Sequence, residues 1–221
     1  MKARIRIHGF LIFSAVCLVL IFPKFILSTG GIESQDDLLD AFGVFFVFIG
    51  YILRISSRGY KIENSAVGGK LVQEGPYAFV RNPMYLGTFF IGSGIILVLF
   101  QPWLYFIFLI VFSSVFLREI KKEKAFLTEK FGERYVDYCR RVPALFPSLD
   151  KLFHVREYVF VKPDWVQREL VSFRPVMVMI FGFEAFHDFW QFRSFDIRRE
   201  FLDAIIAFVI FFILLKIFTR K

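Results

Sequence analysis

The sequence predicts an all-α fold, a polytopic membrane helical bundle of five to six spans. Three observations carry this. The chain of 221 residues is 57% hydrophobic with 33 Phe and a mean hydropathy of +0.58, more apolar side chain than one soluble core of this length needs. The apolar residues are clustered in blocks long enough to cross a bilayer, as a membrane solvent requires. Lys and Arg gather beside alternate blocks, the pattern that orients spans.

Residues 7–27 form the first block, of about 20 residues, preceded by Lys2, Arg4 and Arg6; it reads as a span with a cytoplasmic N-terminus. Pro23-Lys24-Phe25 offers no small-residue cleavage site for a secretory signal. The loop 28–37 carries Glu33, Asp36 and Asp37 without Lys or Arg and suits the opposite side. Residues 38–55 make a second span, and Arg54, Arg58, Lys61 and Lys70 return the chain to the cytoplasm. Residues 84–100 and 103–117 make the third and fourth, separated only by Gln101-Pro102, so tight a break that a helical hairpin is expected. Gly87, Gly92 and Gly94 are expected to allow close backbone approach there. Residues 118–169 are densely charged and cytoplasmic, with a helix over 119–141 interrupted by Gly132 and ended by Val142-Pro143. Residues 170–190 are apolar but contain Arg174, Pro175, Glu184, His187 and Asp188; they either span imperfectly, with polar groups facing a cavity, or lie in the interface. Residues 201–218 form a last span. The expected organisation is a first span and loop over 1–37, a core over 38–149 and an extension over 150–221 with one or two membrane helices.

The net charge of +8 fits basic flanks of membrane spans against anionic lipid better than nucleic-acid binding. Cys17 and Cys139 fall at different membrane levels, so no disulfide is expected; His8, His154 and His187 have no metal-ligand spacing, and no metal site is expected.

The run from Gly75 to Gly87 concentrates two X-Pro turns, Tyr77, Tyr85 and Arg81 at the edge of an apolar block. Pro76 and Pro83 stiffen it. If the helices around Gln101-Pro102 are antiparallel, Arg81 and Glu123 share one cytoplasmic pocket, and Glu119 and Glu123, spaced i,i+4, share a helix face. Plain structural roles fit each residue singly. The turns lead into a helix, the tyrosines belong to an interfacial belt, Arg81 anchors, and the glutamates pair with Lys122 and Lys130.

The ordered set Gly75-Pro76-Tyr77, Arg81-Asn82-Pro83-Met84-Tyr85-Leu86-Gly87, Glu123-Lys124-Ala125-Phe126-Leu127, Phe131-Gly132-Glu133-Arg134-Tyr135, Tyr138, Val142-Pro143 and Pro147 resembles the membrane methyltransferases that use S-adenosylmethionine, the family of isoprenylcysteine carboxyl methyltransferase and the phospholipid N-methyltransferases. The resemblance covers roughly residues 38–149. It implies S-adenosylmethionine as cofactor and a lipid or lipidated acceptor in the bilayer. It also implies an integral, multi-pass protein of a bacterial inner membrane or the endoplasmic reticulum, with a cytoplasmic cofactor pocket built around the hairpin. Tyr77, Arg81, Asn82, Pro83, Tyr85, Glu123 and Tyr135 would line the cofactor site; Glu123, Arg81 and Arg118 would act on the reacting groups, Arg118 toward an acidic acceptor. Tyr138 would help close the site. Asn82 stands where the family has histidine and Lys124 where it has a second glutamate, which removes a titratable base and a carboxylate. Lys130-Phe131-Gly132 and Tyr138-Cys139-Arg140-Arg141-Val142-Pro143 also resemble the membrane sterol reductases, which implies a nicotinamide cofactor as the alternative. Asn82 and Lys124 suit a third reading, a non-enzymatic protein that kept the fold.

Overall fold

A computed structural model of the chain describes residues 22–27, 34–65, 68–192 and 197–219. The expected first span therefore lies almost wholly outside the described residues. The described residues are helical, with two isolated bridges and no longer β-structure. In order, the helices are α1 (Pro23–Ile26), α2 (Ser34–Asn64), α3 (Pro76–Phe79), α4 (Pro83–Leu99), α5 (Pro102–Phe131), α6 (Glu133–Arg141), α7 (Leu149–Phe153), α8 (Val155–Tyr158), α9 (Pro163–Phe192) and α10 (Ile197–Phe218).

Proline and glycine set most of the boundaries. Pro76, Pro83 and Pro102 each sit in the first turn of a helix, where the missing N–H costs nothing. Gly132 ends α5 and starts α6 at φ 56, a left-handed turn that other residues resist. Val142, before Pro143, is extended and stops α6.

The all-α expectation holds, but the bundle of five to six spans around a hairpin does not. Among the described residues, two helices are long and apolar enough to cross a membrane, Leu39–Asn64 and Pro102–Phe131. The expected span at 84–100 is a helix of 17 residues, about 26 Å at 1.5 Å per residue and short of a hydrocarbon core of about 30 Å. In α9 the apolar part is only Phe173–Gly182, and in α10 it is Ile205–Phe218, both shorter than a span. The side chains of Glu184, His187 and Asp188 lie outside the described residues, and Arg174 is exposed, its Nε donating to the Leu170 carbonyl of its own helix.

The close helix pair is also not the expected one. α4 packs most extensively on α2, antiparallel, and glycines make the approach possible. A methyl group on Gly50 would lie 2.6 Å from the Gly87 carbonyl oxygen, and one on Gly87 would lie 2.7 Å from that of Gly50. Gly94 meets Gly43 and Val47 in the same way, and only Gly92 faces α5, against the Phe108 ring. α5 meets α4 through rings instead: Phe89 with Phe112 at 5.1 Å and Tyr85 with Phe116 at 5.2 Å. Its other face is bare, with Phe106, Ile110 and Val111 more than half exposed. Phe112 is the one buried side chain of α5, and the rest of its apolar half is partly or fully open, as expected of a helix solvated by lipid.

The core lies between α2, α4, α9 and α10. Phe173 stacks on Phe211 at 4.6 Å and meets Tyr51 edge-on at 4.9 Å. One charge is buried there: Glu169, 1% exposed, accepts from Arg58 Nη1 at 2.9 Å and lies 3.6 Å from Arg54 Nε. Arg54 also donates to Thr88 Oγ1 at 2.8 Å, so one carboxylate ties α9 to both α2 and α4. A carboxylate so deep is tolerable only because it is paired. Backbone ties close the two ends of the bundle, Gln101 N–H to the Ile26 carbonyl at one and Val161 N–H to the Phe218 carbonyl at the other.

Candidate functional site

The polar segments meet beside the C-terminal half of α5. The turn before α4 is held from the far side of the motif region. Arg81 N–H donates to the Pro143 carbonyl at 2.8 Å, and Asn82 N–H donates to that of Ala144 at 3.1 Å. The Asn82 side-chain Nδ2 donates to the same Ala144 carbonyl at 2.9 Å. Because the chain cannot continue α6 past Val142-Pro143, the Pro143 and Ala144 carbonyls are left free to accept these bonds. Tyr138 Oη donates to the Tyr77 carbonyl at 2.6 Å, and Arg141 Nη2 to Gln73 Oε1 at 3.1 Å. The left-handed turn at Gly132 lets α6 fold back far enough to make these contacts.

This frame encloses a cavity of about 190 Å³. Tyr77, Arg81 and Asn82 line it from the α3–α4 turn, Glu123, Phe126, Leu127, Lys130 and Phe131 from α5, and Tyr135 and Tyr138 from α6. Lys61, Ser65, Gly68, Lys70, Leu71 and Val72 supply the remaining wall. No described residue after 150 lines it. Four cationic side chains thus face one carboxylate, that of Glu123.

Arg81 is the most informative residue in the cavity. Its Nη1 donates to Cys139 Sγ at 2.6 Å, while its Nε is buried and has no hydrogen-bond partner. A buried guanidinium N–H left unpaired is costly, and such a group suits a site that a ligand acceptor completes. Glu123 is half-buried; burial, then the Glu123 charge, raises the Tyr85 phenol above its ordinary value. Burial, then the Glu123 charge, pushes the Tyr77 phenol well above its ordinary value. Burial, then Cys139, pushes Tyr135 up to about 12, and burial, then Tyr135 and Tyr77, raises Tyr138 strongly. All three rings stay neutral at physiological pH, offering π-faces and hydroxyl donors rather than charge.

Of the residues singled out in the sequence, Tyr77, Arg81, Asn82, Glu123 and Tyr135 come together on one cavity, with Tyr138. Pro83 and Tyr85 do not line it. Pro83 is buried as the first residue of α4, and Tyr85 packs edge-on against the Phe116 ring. Arg118 is exposed on α5, its Nε bonded to the Ser114 carbonyl at 2.6 Å. Five residues from Glu123, it is turned about 140° around the helix from the cavity face. Glu119 is paired with Lys122 at 2.7 Å, and Lys124 is exposed and outside the cavity.

The sequence reading missed Lys61, Lys70, Phe126, Leu127, Lys130 and Phe131 as parts of one site. The α5 members were legible, since 123, 126, 127, 130 and 131 repeat at helical spacing on one face. Lys130 does not pair with a glutamate as a surface reading suggests: it donates to the Gly68 carbonyl at 2.9 Å and lies over the Phe126 and Phe131 rings. Nothing in the local sequence marked Lys61, in the last turn of α2, or Lys70 after it as parts of the site.

Residues 37–134 match the family model described as phospholipid methyltransferase. The chain is 35% identical over 81 residues to protein-S-isoprenylcysteine O-methyltransferase B of Arabidopsis thaliana, covering 37% of this chain and 41% of that protein. It is 26% identical over 156 residues to protein-S-isoprenylcysteine O-methyltransferase of Saccharomyces cerevisiae (67% and 64%), and 34% identical over 79 residues to that of Schizosaccharomyces pombe (36% and 34%). The matched segments span less than two thirds of the length of these relatives. No solved structure matches. These matches make a family-level link to the phospholipid and isoprenylcysteine methyltransferases.

Proposed function

We propose that this chain is an S-adenosylmethionine-dependent methyltransferase acting on a lipidic or membrane-bound acceptor, with the cofactor held in the cavity between the α3–α4 turn, α5 and α6. The observation that carries the proposal is the convergence of Tyr77, Arg81, Asn82, Glu123 and Tyr135, from segments about 40 residues apart in sequence, on one cavity. The buried, unpartnered Arg81 Nε fits a cofactor that ends in a carboxylate.

The cofactor would supply an electrophilic methyl group on a sulfonium centre. Arg81 would bind its carboxylate with Nε and the outer face of the guanidinium. Glu123 would hold the ammonium or stabilise positive charge near the reacting centre. The faces of Tyr77 and Tyr135 would favour a cation. Phe126, Leu127 and Phe131 would form the apolar wall for a flat base and keep water out. Asn82 would act as a positioning residue, because its amide is used on the Ala144 carbonyl and so fixes Arg81 beside it. Transfer to a nucleophilic acceptor needs positioning more than acid–base chemistry, which suits a site whose tyrosines stay neutral.

The test is calorimetric titration of the detergent-purified protein with S-adenosylhomocysteine. Saturable binding that disappears in Glu123→Ala supports the proposal; absence of binding by folded protein sinks it. One observation favours a second reading. Lys61, Lys70 and Lys130 add cationic charge beyond what a single carboxylate needs, which suits the phosphates of a reduced nicotinamide dinucleotide. Binding of the dinucleotide alone in a parallel titration would select that reading.

A further inference from the structure

Between α6 and α9 the chain displays large apolar side chains that, among the described residues, nothing covers. Phe146 is 70% exposed, Leu149 76%, Leu152 46% and Phe153 86%. They are not the loose end of a mobile loop. Pro143 and Ala144 accept from Arg81 and Asn82, Lys151 Nζ donates to the Ala78 carbonyl at 2.6 Å, and Tyr158 packs on Phe79 at 6.0 Å between ring centroids. Phe160 N–H donates to Ser56 Oγ, and Val161 N–H to the Phe218 carbonyl. These ties put the segment level with the start of α4, the start of α9, the end of α10 and the polar end of α2. That is the height at which the bare apolar face of α5 gives way to its charged half.

The segment that carries the patch is itself net basic. Residues 140–162 hold Arg140, Arg141, Lys151, Arg156 and Lys162 against Asp150 and Glu157. Arg156 is exposed in the segment with His154; Arg140 and Lys162 are exposed too, paired with Asp137 at 3.0 Å and Glu63 at 2.6 Å.

We propose that Phe146, Leu149, Leu152 and Phe153 form a rigid wedge that inserts into the headgroup–acyl boundary of an anionic phospholipid leaflet, with the surrounding Arg and Lys on the lipid phosphates. Apolar rings buried shallowly with basic residues around them are the physical pattern of an interfacial anchor. The exposure follows because the partner is the bilayer, whose surface is continuous with the one α5 meets. The wedge hangs from the same Pro143-Ala144 strand that holds Arg81 and Asn82, so it sets the depth of the cavity relative to the lipid. The inference needs only that α2 and α5 lie in a bilayer and is independent of the chemistry performed in the cavity.

The experiment uses full-length protein carrying Phe153→Trp or Phe146→Trp, reconstituted in phosphatidylcholine vesicles with and without phosphatidylglycerol. Emission is read as the difference from the unmodified chain, with lipids brominated near the top of the acyl chain as quencher. Both side chains are exposed, so neither change disturbs the core. The expected result is blue-shifted emission quenched about twofold by the bromolipid, as a ring about 5–10 Å into the boundary requires, and more strongly in the anionic vesicles. Solvent-like emission indifferent to bromine overturns the proposal. Blue-shifted emission without bromine quenching also overturns it, because protein then covers the patch. Equal quenching in both lipids refutes the assignment to an anionic surface.

Discussion

Alanine at Gly87 and alanine at Gly92 should have opposite consequences, although both glycines lie on α4 and are five residues apart. Alanine in a helix gains up to about 1 kcal/mol over glycine in intrinsic propensity. At Gly87 the new methyl would sit 2.7 Å from the Gly50 carbonyl oxygen and 2.8 Å from Arg54 Cγ. The first is backbone of a neighbouring helix and cannot rotate away; the second is the stem of a side chain held by Thr88 and Glu169. Relief requires α2 and α4 to separate by several tenths of an ångström along their whole glycine seam, where Gly43 faces Gly94 in the same way. Overpacking of this kind costs about 1–3 kcal/mol, and the rigidity of the obstacle puts this site at the upper end. After the propensity gain the net loss is about 2 kcal/mol, which for a chain of this size lowers the melting temperature by about 4–8 °C. At Gly92 the methyl would meet only the edge of the Phe108 ring at 2.7 Å, the far end of a half-buried side chain. A small ring rotation relieves that contact, so the propensity gain is kept and the net change falls within about 1 kcal/mol of zero. The assay is thermal unfolding of both variants in one detergent, followed by far-ultraviolet circular dichroism. If Gly92→Ala lost more than Gly87→Ala, α4 and α5 would be the closely packed pair and this account of the core would be wrong.

Three further outcomes follow from single sites. Glu169→Ala should cost about 3 kcal/mol in denaturant titration, the low end for breaking a buried pair, because Arg58 is 47% exposed and can rehydrate; Glu169→Gln, which still accepts hydrogen bonds, should cost less. Arg81→Lys should weaken S-adenosylhomocysteine binding about 10- to 100-fold, the loss of about 1.5–3 kcal/mol when a point charge replaces a planar donor pair; unchanged affinity by calorimetry would remove Arg81 from the proposed carboxylate site. Tyr77, Tyr135 and Tyr138 are raised above the ordinary value of about 10, so the folded state keeps protons that the unfolded state releases. Their contribution to stability is therefore complete below pH about 10 and is lost as pH rises through the folded value, about 12 for Tyr135. Tyrosinate absorbance should show these three of the eight tyrosines ionising only as the protein unfolds.

Much of the helix inventory was legible, because Pro and Gly punctuate this chain where the physics requires it. Pro83, Pro102 and Gly132 mark boundaries that the structure keeps. Hydropathy alone could not tell an apolar helix that spans from one that packs inside the bundle. The stretch at 84–100 is as apolar as a span, yet its helix is 17 residues long and is partnered along one side by α2. Nor could composition say which neighbour the glycines serve. Gly43 and Gly50 on α2 complement Gly94 and Gly87 only once the antiparallel register is known, and register is a tertiary property.

The site was legible for a different reason. A pocket assembled from a turn, the end of a long helix and the helix after it needs special residues at each junction. Gly75 and Pro76, Pro83, Gly132 and Val142-Pro143 are those junctions. Local backbone chemistry therefore announced where the walls meet, and Tyr77, Arg81, Glu123 and Tyr135 stand within a few residues or one helical segment of them. Arg118 shows the limit of that logic. Proximity in sequence to Glu123 suggested a shared role, but a helix turns 100° per residue, and five residues carry a side chain to another face. Lys61 and Lys70 show the converse. Lys61 reaches the cavity from the last turn of α2, and Lys70 from the stretch that Lys130 ties to α5 through the Gly68 carbonyl. The basic character of the cavity is thus a product of tertiary packing rather than of motif. It is also the property that sets the two ligand classes apart, since one carboxylate needs Arg81 alone and a dinucleotide's phosphates would use the lysines as well.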